Sequence, residues 1–302
     1  MDRGLILINE IINSLDNKII SGEQAFKLYD TFGFPVDLTR LIAQENECDV
    51  DTKSFERHMK AQRIKARGSH KFKDSNNQSE WNNILDSKGS NFIGYTSTSC
   101  NSKIVKYRAI DKNLEIVMDK TPFYAEAGGQ IGDTGKIQSN NIIFEVLDTY
   151  MVGDDMCHLC KLVKGDLNKD INNDFQLEID INRRKKIKSN HTATHLLHKA
   201  LKIVLGSHVQ QAGSLVSDSK LRFDLTHYEK LSSSELSKIE KIVNDNVLEN
   251  FQLEVKNENY KDAKKQGAEA LFGEKYGDIV RVVSIADFSI ELRGGTHVNR
   301  TG

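Results

Sequence analysis

The chain has 302 residues, 28% of them charged, with a formal net charge of −1. That length suits two compact domains plus an extra segment, and the near-neutral balance excludes a surface that attracts polyanions overall, so any nucleic-acid affinity must come from local patches. Cys48, Cys100, Cys157 and Cys160 are too few for a disulfide scaffold at this size and fit a reducing, cytoplasmic compartment. Charges at Asp2, Glu10, Asp16 and Lys18 interrupt the first twenty residues, so no signal peptide is expected. No stretch reaches the roughly 18 to 20 apolar residues of a spanning helix, which leaves a membrane role unsupported.

The expected fold class is α+β: an N-terminal helical segment, a small β-barrel subdomain, then an α+β core. Leu5, Ile8, Ile12 and Leu15 recur at helical spacing, and Ser21 with Gln24 reads as a capping box opening a second helix. Phe32-Gly33-Phe34-Pro35 ends it, Asp37 starts a third helix through Ile42, and a fourth is predicted from Thr52 to Arg67. Residues 1–67 thus form a helical segment. Residues 68–94 read as a linker carrying one short helix anchored by Trp81, Ile84 and Leu85. Over 95–180, β-rich runs at Ser102–Ile110, Leu114–Met118, Ile142–Tyr150, His158–Leu162 and Phe175–Ile179 suggest the barrel. The period then changes over 181–302. Ile187, Thr194, Leu197, Leu201 and Val204 describe one or two helices ending at Gly206; strands at Ser214–Val216 and Lys220–Asp224, a helix at Ser233–Glu249, and strands at Asp278–Ser284 and Phe288–Leu292 follow.

His191 and His195 are four apart on a predicted helix, so both imidazoles leave one face a turn apart and can converge on one ion. Thr192 stands where the metalloprotease motif has its glutamate, which disfavours a protease. Such pairs are also common on plain surfaces, and a distant third ligand is needed. Gly294-Gly295-Thr296-His297 offers one after a strand, with a histidine that caps the next element as the bland alternative.

Three stretches resemble the editing region of the alanyl-tRNA synthetase family: His191-Thr192-Ala193-Thr194-His195-Leu196-Leu197, Thr121-Pro122-Phe123-Tyr124-Ala125-Glu126-Ala127-Gly128-Gly129-Gln130, and Gly294-Gly295-Thr296-His297-Val298. The match extends to Leu271-Phe272-Gly273-Glu274-Lys275-Tyr276-Gly277 and Gln211-Ala212-Gly213-Ser214, while Ala25 to Pro35 resembles the tail of that family's tRNA-recognition domain. The resemblance implies a fragment: an aminoacylation domain would precede Met1 and further domains would follow Gly302, supplied in cis or in trans. It also implies an ester hydrolase acting on mischarged seryl- or glycyl-tRNA(Ala), with Zn2+ on His191, His195 and His297 and tRNA(Ala) as partner.

Under the same resemblance, Thr121 pairs with the hydroxyl of a mischarged serine, Gln211 orients water or the ester carbonyl, and Gly128 and Gly129 let the backbone approach the substrate. Taken alone, Thr121 is an ordinary turn residue and Gln211 a solvated side chain. Arg183, Arg184, Lys185 and Lys186, with Lys188, concentrate positive charge ahead of the histidine helix. A charge run is usually a solvated face, but beside a tRNA-directed site it reads as a phosphate patch. Arg293 is a departure, because the family carries a cysteine ligand there and a guanidinium cannot ligate a cation. Three histidines remain, as in open catalytic zinc sites. The rival reading is a degenerate tRNA-binding module that has lost zinc through Arg293, and a third is a structural zinc domain. His198 is assigned to the surroundings of the site or to the surface. His208 and His227 read as loop residues, and Cys157 and Cys160 as packing cysteines.

Overall fold

The structure, a computed structural model, describes residues 2–15, 18–32, 34–59, 79–86, 89–269 and 277–302. Gly33, the predicted helix beyond residue 59, the first part of the predicted linker and the 271–276 stretch lie outside these residues. The chain divides into two compact units, Met1–Asn76 and Asn77–Gly302.

In the first unit the helices are α1 (Asp2–Asn13), α2 (Gly22–Phe32), α3 (Val36–Glu45) and α4 (52–59), with a short parallel pair of β1 (Ile19–Ile20) and β2 (Asp49–Val50). The capping box forms as expected: Ser21 N–H donates to Gln24 Oε1 (3.0 Å) and Gln24 N–H to Ser21 Oγ (3.2 Å). Ile8, Ile11, Ala25, Leu28, Phe34, Ala43 and Phe55 share one apolar cluster to which all four helices contribute, with Ile12 and Leu15 of the expected first stripe only partly buried against it.

The second unit opens with β3 (Asn82–Asn83), β4 (Asn91–Phe92), β5 (Ser99–Ser102), β6 (Ile104–Ile110), β7 (Asn113–Met118) and β8 (Lys120–Thr121). β9 (Gly135–Gln138), β10 (Ile143–Val152), β11 (Asp155–Lys164), the short α5 (Leu167–Asp170) and β12 (Phe175–Ile179) complete this half. Eight strands pair in the order β3-β6-β7-β11-β10-β9-β12-β5, all antiparallel. The sheet curls: the end of β5 returns to the β7–β8 run, where Ser102 Oγ donates to Lys120 O (2.6 Å) and Asp119 N–H to Lys103 O (3.0 Å). Its interior is filled by Met118, Phe123, Ile137, Phe144, Phe175 and Leu177, as in small barrels packed by side chains. Cys157 and Cys160 are buried free thiols.

The short helix expected around Trp81 is absent among the described residues 79–86 and 89–94. The segment instead joins the sheet as β3, with Trp81 lying beneath the cationic groups of Lys106 and Arg108 (4.9 and 4.5 Å to the ring centroid). Two cationic side chains over one indole favour an extended chain against β6 over a free-standing helical turn.

Beyond β12 runs α6 (Ile181–Leu205), one continuous helix where one or two were expected. The hairpin β13 (Gln211–Val216) and β14 (Leu221–Leu225), then α7 (Ser233–Leu248), β15 (Leu253–Asn259), α8 (Tyr260–Lys265), β16 (Ile279–Ile285) and β17 (Ser289–Leu292) follow. β15, β16 and β17 form an antiparallel sheet. Apolar clusters join α6 to it through Leu196, Val283 and Ile285, and to α7 through Leu201 and Ile239. No helix among the described residues is long and apolar enough to cross a membrane.

Candidate metal centre

The helix α6 begins at Asp180, whose side chain accepts from the N–H of Arg183. Its buried face runs through Arg184, Ile187, His191, His195, His198 and Leu201, a stripe at spacings of three and four in which most positions are polar. Each such side chain must therefore find a partner inside the protein.

Arg184 finds Asp133. Its Nε donates to Asp133 Oδ1 (2.8 Å), Nη2 closes a second contact on the same carboxylate, and further bonds reach Gly94 O (2.9 Å) and Pro122 O (3.0 Å). With both residues almost fully buried, this is an internal clasp between α6 and the curled sheet. The expected four-residue basic patch accordingly loses Arg184. Arg183 is half-buried and donates to Gly132 O (2.7 Å), while Lys185 and Lys186 are exposed.

Two turns further along α6, His191 and His195 come together with His297, all buried, with one ligand nitrogen from each lying within 4.8 Å of the others. His191 Nδ1 lies 2.8 Å from Gln130 Oε1, which also accepts from Thr296 N–H (2.8 Å), while Gln130 Nε2 donates to Thr296 Oγ1 (3.1 Å). The backbone N–H can only donate, so the amide oxygen must face it and His191 must carry its proton on Nδ1. Nε2 is left with a free lone pair. This is the outer-shell arrangement that fixes the tautomer of a ligating histidine. His195 has no hydrogen-bond partner on either ring nitrogen; Glu291 Oε2 is 3.3 Å from its Nδ1 but poorly aligned. His297 has only long contacts, 3.3 Å from Nε2 to Gly294 O and 3.4 Å from Nδ1 to Thr192 Oγ1. Buried polar atoms left in this state fit a metal ion, and an all-imidazole donor set suits zinc.

Glycines bring these groups together. At Gly295 φ is +77°, and a Cβ there would collide with the His191 ring. Gly128 and Gly129 have φ of +59° and +85°, and a Cβ on Gly129 would meet Ser214. The glycine pair lets the backbone lie along β13, with Val216 N–H donating to Gly129 O (2.7 Å), and so delivers Gln130 to His191. Gln130 closes the Thr121–Gln130 run, and the glycine pair immediately before it is the mark in the sequence of its close approach to His191.

Burial is the main reason the three histidines remain neutral. It lowers His195 to about 4 and holds His191 and His297 well below the usual imidazole value, helped by the neighbouring imidazoles and arginines. Neutral imidazole is the ligating form. Arg293 is also inside, 8% exposed; its Nε donates to Glu291 Oε2 (2.9 Å) and its Nη2 to Gln211 Oε1. Burial alone would raise the Glu291 carboxyl, but with His195 neutral the hydrogen bond from His198 and the charge of Arg293 still outweigh it and keep the group ionised. Glu291 Oε1 also lies 3.0 Å from His198 Nδ1, so His198 belongs to the buried network and not to the surface.

Thr121 is placed differently from its expected role. His158 Nδ1 donates to Ile116 O (2.9 Å), which leaves its Nε2 to accept from Thr121 Oγ1 (2.8 Å), and Thr121 Oγ1 itself accepts from Phe123 N–H (3.1 Å). The hydroxyl is wholly buried, with its proton committed to His158. Gln211 is buried at the start of β13. His208 and His227 face each other at 3.0 Å, beside the exposed Tyr228.

A groove of roughly 570 Å³ leads to His297 and Thr296, with Tyr95, Lys188, Arg281 and Asn299 among its walls. Two of its lining side chains are cationic and none is acidic. Arg281 lies 4.0 Å over the Tyr95 ring and donates to Gly295 O (2.9 Å), tying this wall to the glycine turn.

The family model for class II (A) tRNA synthetases matches residues 1–183. Similar relatives include the alanine–tRNA ligases of Fusobacterium nucleatum subsp. nucleatum (46% identical over 309 residues), Pseudoalteromonas translucida (43% over 312) and Thermoanaerobacter sp. strain X514 (42% over 313). Each alignment takes in all of this chain and 35 or 36% of the relative, so the chain spans about a third of the length of the curated relatives it matches.

Proposed function

Because the chain belongs to the alanyl-tRNA synthetase family, we propose that its second unit hydrolyses the ester between a wrong amino acid, serine or glycine, and the 3′-terminal adenosine of tRNA(Ala). The observation that carries this reading is the convergence of three buried neutral histidines, His195 without a hydrogen-bond partner, at the end of an acid-free groove. The groove suits the single-stranded end of an RNA, with Lys188 and Arg281 facing phosphate and Tyr95 offering an aromatic face. Exposed Lys185 and Lys186 and half-buried Arg183 extend the positive charge towards the body of the tRNA.

His191, His195 and His297 would hold the metal, and zinc there would supply Lewis-acid polarisation of water or of the ester carbonyl. Water adds to the carbonyl carbon, the bond to the ribose oxygen breaks, and that oxygen leaves as a hydroxyl. Gln211, its Oε1 engaged by Arg293, offers its amide N–H to the carbonyl oxygen. Thr121 acts through the loop it anchors: its link to His158 secures the chain that continues to Gly128, Gly129 and Gln130. Hydrolysis of a small misfit ester has a clear rationale, since a pocket selecting alanine rejects serine weakly by size.

The test is deacylation of seryl-tRNA(Ala) with and without a chelator. Chelation and the double change His191→Ala/His195→Ala should each abolish turnover; hydrolysis that survives the double change rejects the mechanism. The grip of Arg293 on Gln211 favours a second reading, a tRNA-binding module without turnover. A metal-free, inactive protein made active by Arg293→Cys would establish it.

A further inference from the structure

Arg293 places a full positive charge inside the protein, one carboxylate away from the cluster: its Nε bonds Glu291 Oε2, which lies 3.3 Å from His195 Nδ1. A dication at the cluster would be repelled by that charge, more strongly in a medium of low dielectric. One anionic group faces both the guanidinium and the cluster. Glu291 Oε2 is 2.9 Å from Arg293 Nε and 3.3 Å from His195 Nδ1, while Oε1 is 3.0 Å from His198 Nδ1. The guanidinium is held on two acceptors, Glu291 and Gln211, and Glu291 is 2% exposed, so solvent screens neither charge.

We propose that Glu291 is the positioning residue that lets this three-histidine centre hold a divalent cation. Its carboxylate cancels the charge of Arg293, and the same oxygen lies 3.3 Å from His195 Nδ1, placing negative charge beside the ligand ring. The pair Glu291–Arg293 is then a neutral clasp beside the ligands, and the centre keeps three neutral donors without an added positive field. The inference rests on the metal reading given above, but it concerns capture of the ion and not turnover.

Four proteins decide it, each the full chain titrated with Co2+ and Zn2+ against a competing chelator: wild type, Glu291→Gln, Arg293→Gln and the double variant Glu291→Gln/Arg293→Gln. Wild type should take up one ion with a visible Co2+ absorption band. Glu291→Gln should weaken uptake by about 10- to 100-fold, the usual effect of losing an outer-shell partner. The double variant, in which both charges are gone, should return to within a few-fold of wild type with the same Co2+ band. Arg293→Gln should bind more tightly than wild type, because the carboxylate is then uncompensated; this variant decides the matter if Glu291→Gln does not fold.

A double variant as weak as Glu291→Gln, weaker binding by Arg293→Gln, or a wild type that binds neither ion overturns the proposal. Seryl-tRNA(Ala) deacylation on the same samples separates it from the functional reading. The expected pattern of uptake without hydrolysis removes the deacylase and keeps the clasp. Hydrolysis without the pattern does the reverse.

Discussion

At Gln130 a single amide oxygen receives the N–H groups of Thr296 and His191. Gln130→Leu keeps the bulk but strands both donors in a buried site, at about 1–3 kcal/mol each. Denaturant titration should register that loss, and chelator competition should show metal affinity lower by about tenfold or more. His158 provides a second residue-scale prediction, with a definite sign in pH. Burial pushes its pKa down to about 4 from an ordinary 6.5, so the unfolded chain takes up a proton that the folded chain refuses. The stabilisation from keeping it neutral is complete above pH 6.5 and is lost as pH falls towards 4, on the order of 3 kcal/mol in all. His158→Asn retains a donor for Ile116 O, and its denaturation free energy should fall less steeply across that window than that of the wild type. At this scale the histidine trio was legible because helical spacing and a glycine turn each leave a mark in the sequence. Gln130, Glu291 and the burial of Thr121 were not, since partners far apart in sequence have no period to betray them.

The helix α6 shows why elements are read more easily than their faces. Its start at Asp180 and its end at Gly206 follow from capping chemistry visible in the sequence. Its buried stripe mixes arginine and histidine with leucine, so hydrophobic periodicity alone cannot separate a clasp from a solvated face. The difference is measurable. Arg184→Ala leaves Asp133 as an unpaired buried carboxylate and should cost about 3–5 kcal/mol, whereas Lys185→Ala with Lys186→Ala should leave stability unchanged and reduce the salt dependence of tRNA binding. An Arg184→Ala protein as stable as wild type would contradict the clasp. The strand β15 and helix α8 escaped the sequence reading for a related reason. Glu254 to Glu258 is a run of mostly charged and exposed residues, held in place by full antiparallel pairing with β16; backbone hydrogen bonds have no side-chain signature.

Taken as a whole, the second unit gathers its centre from three distant stretches: the glycine loop that ends at Gln130, α6, and the turn after β17. An ion bound to His191, His195 and His297 links the last two and is absent from the unfolded chain in that geometry, so it should stabilise the fold by mass action. At a free Zn2+ concentration a thousandfold above its dissociation constant the gain is about 4 kcal/mol. Thermal denaturation should therefore shift upward with Zn2+ and return on chelation, and a His297→Ala protein should show a much smaller shift. A transition that ignores the metal in wild type would remove the centre as a feature of this unit.

The turn at Gly295 carries one further consequence for that exchange. Its backbone passes where any side-chain carbon would overlap the His191 ring, and on the ring's own Nδ1 sits Gln130. The imidazole is wedged between the two, with no room to rock. Much of the entropy of orienting this donor is thus lost on folding, and capture of the ion should immobilise little that was moving. Uptake by this arm of the centre is then a docking event, with preorganisation supplied by a missing methyl group.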